Sequence, residues 1–468
     1  MDKEYVVDFD EWVKPFGKVS QHLDEDFSSL LTELLHLIRG TNVTHSSDKT
    51  NIEDSKMKFV ANIHAEWKKA EKLISSNVYV CLCDIEEIEK RKIKFHIDKD
   101  FENKKICIRQ IKDKSVRIRI LRRFYDAIVW SFMRGEHSTI RRFFTPSNID
   151  NLSKKNIEDG SGFLEKANAD RFNIAINADI TTFMHSGDAL VFNPFKGTAL
   201  VEVKTGHKNS KICEDVRRYT SPENLSQVDE FVAGLNEKDR QQFGRIRKQL
   251  ELSRSIVDVL NNGIGVDYST GQNVVTPTTS IASDFFSTEI VSLYESLSEK
   301  KTWAIDVIDE CLYLGVYSDQ RSAILGFNGW MGVMECKSPV FNILDFLKDP
   351  LAPPLPYLDL PTPLLDDIMK DKVVVVMCLD VVGFIEKVNE KYGDYLFFLE
   401  KKESRKHLDS LNAMWSYKGR VVGYKNGTGT GVLGYGVVTR ILYDFQRPLN
   451  MIAQLKDLDA RSGSVGGA

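Results

Sequence analysis

The chain has 468 residues, enough for two or three domains and a sizeable core, with 42% hydrophobic and 28% charged residues. That composition excludes a disordered or fibrous chain and fits a soluble globular protein, while a formal net charge of −4 is too small to name a partner. Seven cysteines without a C-x-x-C pair argue against a disulfide framework or a cysteine-rich zinc site, and for the reduced thiols of a cytoplasmic protein. The first residues, MDKEYVVDFDEW, lack an apolar core, so no signal peptide is expected. The best apolar run, Val373 to Ile385, contains Asp380 and is too short to span a bilayer, so no membrane partner is expected.

Taken in order, residues 1 to about 75 read mainly as helix. Phe27, Leu30, Leu31, Leu34, Leu35 and Ile38 form an apolar stripe that ends near Gly40. A polar loop over 41–54 and a second helix over about 55–75 follow, and His36 and His64 are read as packing or surface residues. From Val78 to Ile111 the β-branched alternation predicts three short strands, near 78–83, 93–97 and 106–108. Between Lys90 and Arg123 fourteen Lys and Arg stand against four acids, a local net of +10. Two readings are open for this stretch: a phosphate-facing surface or a solvated sheet face. Residues 117–144 read as a strong helix breaking near Gly135, and 147–162 as a polar connector.

The most informative stretch is Ser186 to Gly206, SGDALVFNPFKGTALVEVKTG. Apolar runs flank Asn193-Pro194 and Lys196-Gly197, which are turn signals, so a β-hairpin is predicted. Residues 172–182 supply the strand before it. Period-2 alternation places Leu200, Glu202 and Lys204 on one face and Val201 and Val203 on the other, with Asp188 across the ladder. Two converging carboxylates suit a hard cation such as Mg²⁺. A neighbouring ammonium can polarise water or offset charge on a phosphate.

These residues resemble the PD-(D/E)XK nuclease superfamily: Gly187-Asp188 matches its first acid and Glu202-Val203-Lys204 its E-x-K. The resemblance covers the hairpin and its flanks. Gly187 stands where the family name has proline, and Ser253 stands where a Q-x-x-x-Y beginning at Gln249 would need tyrosine, which counts against an exonuclease branch. The resemblance implies an α/β fold with a mixed sheet flanked by helices. It implies a divalent site (Mg²⁺ or Mn²⁺) held by Asp188, Glu202 and the Val203 carbonyl, with Lys204 positioning water. Glu136 or Glu165 is expected to complete it, with no choice between them. His185 and His207 flank the site and are read as strand-end residues. A basic tail over 204–211 is expected beside the site.

Further on, Ser221-Pro222 signals a helix start, and a long helix is predicted from about Asn236 to Asn262, stopping at Gly263. Trp303 to Tyr317 reads as the last core strands or the start of another domain. Glu335-Cys336-Lys337 reads as a strand with alternating charge. Six prolines between Pro350 and Pro363 predict a stiff, extended linker. Val373 to Leu379 reads as a buried strand. Gly429-x-Gly431-x-x-Gly434 matches a dinucleotide fingerprint by letters only and is placed in a loop, and RSGSVGGA reads as a tail. The expected organisation is a helical and basic β region over 1–114, a nuclease core over 115–349, the linker over 350–363, and a separate α/β module over 364–468. That last module is expected to serve assembly or sensing. The function expected by resemblance is a metal-dependent DNA endonuclease, of the kind found in restriction or phage defence, working as a homo-oligomer with a regulatory partner. The rival expectation is an inactive nucleic-acid-binding or assembly protein that uses the basic stretch.

Overall fold

In a computed structural model the chain is mixed α/β, with helices predominating and antiparallel pairing in every described ladder. The structure describes residues 22–41, 43, 52–144, 152–184, 187–202, 207–219, 225–266, 273–275, 279–408, 414–426 and 429–465. Two compact units emerge, one of residues 36–276 and one of residues 1–35 with 277–468. The expected boundaries at 115 and 349 therefore cut through both units, and the mixed sheet is not what the described residues form.

Helix α1 (Glu25–Arg39) buries Phe27, Leu31, Leu34, Leu35 and Ile38 as its stripe requires, and Gly40 ends it at a φ of +61°. In the 36–276 unit, α2 (Ile52–Ile97) and α3 (Phe101–Phe132) form a long antiparallel hairpin. Here the expected strands over 78–111 are corrected to helix. The local β-branched preference loses to burial recurring at Ile74, Val78, Cys81 and Ile88, a helical spacing. Asp100 caps α3 by accepting from Asn103 N–H at 3.1 Å. Arg134 and Gly135 both take positive φ after α3, so the helix breaks where the glycine suggested.

Helix α4 (Lys154–Asn168), capped by Ser153, replaces the second half of the expected polar connector. It packs on a three-stranded sheet of β1 (Ile174–Asn177), β2 (Ala189–Asn193) and β3 (Gly197–Val201), with β2 central. The first strand is far shorter than the expected 172–182, because a 3₁₀ turn follows at Ala178–Ile180. Helix α5 (His207–Tyr219) starts inside the expected basic tail and packs on α6 (Glu237–Asn262) through Ile212, Val216, Phe243 and Ile246. Asn236 caps α6, and Gly263 closes it at φ +70°, where the sequence placed the stop. Strands β4 (Ile264–Val266) and β5 (Asn273–Val275) pair after it, and Ser221-Pro222 lies outside the described residues.

In the other unit, α7 (Ser287–Glu295) precedes a four-stranded sheet of β6 (Trp303–Ile308), β7 (Leu312–Tyr317), β8 (Phe341–Asn342) and β9 (Val374–Leu379), in the order β6-β7-β9-β8. Helix α8 (Gln320–Val333) packs on β7 and β9 through Ala323, Phe327 and Met331. The separate module is corrected here. Strand β9, beyond the prolines, pairs along its whole length with β7, from Leu312↔Leu379 to Tyr317↔Val374. The proline-rich segment is not an extended linker either. Ala352, Leu355, Leu358 and Leu360 are at most 4% exposed, and the chain passes through 3₁₀ geometry into α9 (Thr362–Met369). Glu335 sits in a turn at φ +52°, not in a strand.

Helix α10 (Val381–Tyr392) leads to β10 (Leu396–Phe398), β11 (Ser416–Tyr417), β12 (Arg420–Asn426) and β13 (Gly429–Val432). Gly429 and Gly431 of the supposed fingerprint thus lie in β13, with Gly434 just beyond its end, and a Cβ on Gly431 would come within 2.5 Å of the Tyr424 ring. Helices α11 (Gly436–Tyr443) and α12 (Pro448–Val465) are the last described elements, so 461–465 is helix and not tail.

If the proline-rich segment is core, Leu355→Ala should cost about 2–5 kcal/mol in unfolding free energy. Were it a linker, the same substitution would be nearly silent in a urea titration.

Candidate functional site

The site is built on the β2–β3 hairpin. Its turn is set by Asn193, whose Oδ1 accepts from the backbone N–H of Phe195 at 2.9 Å and of Lys196 at 3.1 Å. The register pairs Ala189 with Val201 and Leu190 with Leu200. Ala189, Val191 and Val201 lie against Leu164 and Ala175 on the α4 side. Phe192 takes the opposite face, stacked on Phe132 at 5.0 Å and against His64 at 6.0 Å. His64 is itself 3% exposed and hydrogen-bonded to the Phe172 carbonyl at 2.8 Å, so it is a packing residue as expected, and burial lowers its pKa.

Extending this register by one residue makes Asp188 and Glu202 cross-strand neighbours, on the face shared by Leu190 and Leu200. Both are half-buried. The Asp188 backbone is held on both sides, its N–H donating to Val201 O at 2.9 Å and its carbonyl accepting from Ala178 N–H at 3.0 Å. Gly187 takes a φ of +75°, outside proline's range near −65°, so proline could not stand at this position. Carboxylates placed opposite each other on a ladder could share a cation. Two hard oxygens fit Mg²⁺, which keeps much of its water shell.

Val203, Lys204 and His185 lie outside the described residues, as does the side chain of His207. Glu136 and Glu165 are both exposed. Among the described residues no three of His, Cys, Asp and Glu converge as a metal group, so neither glutamate is brought to Asp188 and Glu202.

What sequence reasoning missed is the support under the site. The segment from β1 towards Asp188 is fastened to α3. Arg122 donates from Nε to Ile180 O at 2.9 Å and from Nη2 to Thr181 O at 2.5 Å. Asp126 accepts from Thr182 N–H at 2.9 Å, from Thr182 Oγ1 at 2.5 Å and from Arg123 Nη1 at 2.7 Å. Arg123 and Asp126 are 1% and 0% exposed. Arg122 and Arg123 therefore brace the protein and do not belong to a phosphate-facing surface. The signal was present in RRFYDAIVW, where charges three apart interrupt an apolar helix. Alongside them, Tyr125 Oη accepts from Asn177 N–H at 2.8 Å and donates to Glu71, which also accepts from Ser75 Oγ at 2.9 Å. Burial pushes the Glu71 carboxyl up from its ordinary value, with the Ser75 and Tyr125 hydrogen bonds opposing it less strongly.

Compared with known proteins, the chain matches no family model, no curated protein and no solved structure.

Two outcomes follow from the brace. Asp126→Ala leaves Arg123 buried without its carboxylate and should cost about 3–5 kcal/mol in a denaturant titration. For Glu71 the folded pKa lies above the unfolded one, so the folded state holds the extra proton. Its contribution to stability is full below pH 4.5 and declines as pH rises towards the folded pKa. Melting temperatures followed upward from pH 4.5 should fall less for Glu71→Gln than for the parent.

Proposed function

We propose that the protein is a divalent-metal-dependent nuclease of the PD-(D/E)XK type that hydrolyses phosphodiester bonds, with DNA as its substrate. The observation that carries this reading is the pair Asp188 and Glu202: half-buried acids brought opposite each other at the end of an antiparallel ladder. Val203-Lys204 follows directly in the sequence. A bound Mg²⁺ or Mn²⁺ would neutralise charge building on the phosphate and lower the pKa of a water. Asp188, Glu202 and the Val203 carbonyl would hold it. In this reading Lys204 orients the attacking water and steadies the pentacovalent phosphate. The brace from Arg122, Arg123 and Asp126 keeps the 180–182 segment, and through it Asp188, from drifting. A restriction or phage-defence effector, acting as a homo-oligomer with a regulatory partner, is the setting we propose by analogy of architecture.

The second reading, an inactive nucleic-acid-binding or assembly protein, draws on the basic residues of the α2–α3 hairpin. The two readings part on turnover. Plasmid DNA incubated with the full chain and Mn²⁺ should be cut, and cutting should fall by a hundredfold or more in Asp188→Ala and Lys204→Ala, in the range of losses seen when one stabilising group is removed. DNA retention without cutting, equal in EDTA and Mg²⁺, would sink the nuclease reading in favour of the scaffold.

A further inference from the structure

The distal end of the α2–α3 hairpin is an arm with its own surface chemistry. Helix α4 ties to α2 through Tyr79–Glu158 at 2.5 Å and Lys154–Glu86 at 2.5 Å. Beyond Glu86 the polar ties include ones within the hairpin itself, as in Arg91–Gln110 at 3.4 Å and Lys104–His96 at 3.2 Å. Eleven helical residues of α2 remain past that point, a projection of about 16 Å.

Along this arm only Ile88 and Cys107 are fully buried in the seam. Five large apolar side chains within residues 93–108 face water, among them Ile97 at 73%, Phe101 at 59% and Ile93 at 58%. Ile93 and Ile97 are four apart on α2, and Phe101 and Ile108 seven apart on α3, so each pair forms a stripe. Exposed lysines interleave with them: Lys90 and Lys94 on α2, Lys105 and Lys112 on α3. Residues 87–112 carry nine Lys and Arg against five acids. Lys90 and Lys105 touch acids only through surface i,i+3 pairs, at 2.9 and 3.0 Å, which are weak and readily exchanged.

We infer that the distal arm docks on an anionic lipid surface, with Ile93, Ile97 and Phe101 entering the headgroup boundary and the lysines meeting lipid phosphates. Charge complementarity decides the occupant. A second copy would bring the same positive charge against this one. A nucleic-acid duplex would satisfy the lysines and leave the isoleucines and Phe101 in water. An anionic bilayer offers negative charge above an apolar layer, and so satisfies both. No described helix is long and apolar enough to cross a membrane, but an arm lying on a surface needs no span. This inference is independent of the nuclease reading.

The test is co-sedimentation of the full chain with phosphatidylcholine vesicles, with and without phosphatidylglycerol, at low and moderate salt. Binding is expected only with phosphatidylglycerol. It should weaken about tenfold or more in the double variant Ile97→Asp and Phe101→Asp, and again in Lys94→Ala with Lys112→Ala. All four side chains are exposed, so the melting temperature should hold and a folding defect is distinguishable. Absence of binding to anionic vesicles overturns the inference, as does binding untouched by the aspartate variants. DNA retention lost in the lysine variants without vesicle binding assigns the arm to nucleic acid. A smaller particle by light scattering in Ile97→Asp, again without vesicle binding, assigns it to a second copy.

Discussion

Arg123 and Asp126 lie one turn apart on α3, among Phe124, Tyr125, Ala127 and Ile128, all essentially without solvent contact. Two charges removed from water at such a place are costly unless each finds a partner, and their mutual attraction alone need not compensate. Asp126 meets that requirement by reaching outside its own helix, to the backbone and hydroxyl of Thr182. The demand for satisfaction inside the helix thereby fixes a segment that is remote in sequence. Arg122, one residue earlier, does the same for the carbonyls of Ile180 and Thr181. The geometry of the Asp188 end of β2 follows from a helix more than fifty residues upstream, because Ala178 bonds to Asp188 and the next residues are clamped.

The same logic accounts for the shape of the hairpin that carries this helix. Near the sheet, α2 and α3 have partners on several sides, and their polar groups reach α4, β1 and the 3₁₀ turn. Towards the 98–100 turn only the helix–helix seam remains. Apolar residues off that seam then stay exposed, and this contrast separates the bracing half of the hairpin from its distal arm.

How much was legible in the sequence varied with how local the cause was. The α1 stripe, the α6 stop at Gly263 and the turn at Asn193 are settled by neighbouring residues, and were readable as such. The hairpin placed Asp188 opposite Glu202 because period-2 geometry and turn length leave little freedom. Val78 to Cys83 misled because six β-favouring residues in a row say strand, while their burial is governed by a partner helix some thirty residues away. The prolines at 350–363 misled in a similar way. Proline stiffens a chain in isolation, yet here the leucines between the prolines are drawn into a core.

The sequence by itself determined the elements whose signals are short-range: helix stripes, the helix stop at Gly263, the acid-bearing hairpin and the buried strand at Val374–Leu379. Tertiary structure alone decided which of these meet. It joined β9 to β7 across the prolines, turned the supposed strands of 78–111 into a helical hairpin, and took Arg122 and Arg123 from the surface into the support of the site. The reason is that burial and hydrogen-bond satisfaction depend on residues far away in the chain, which no local pattern can encode.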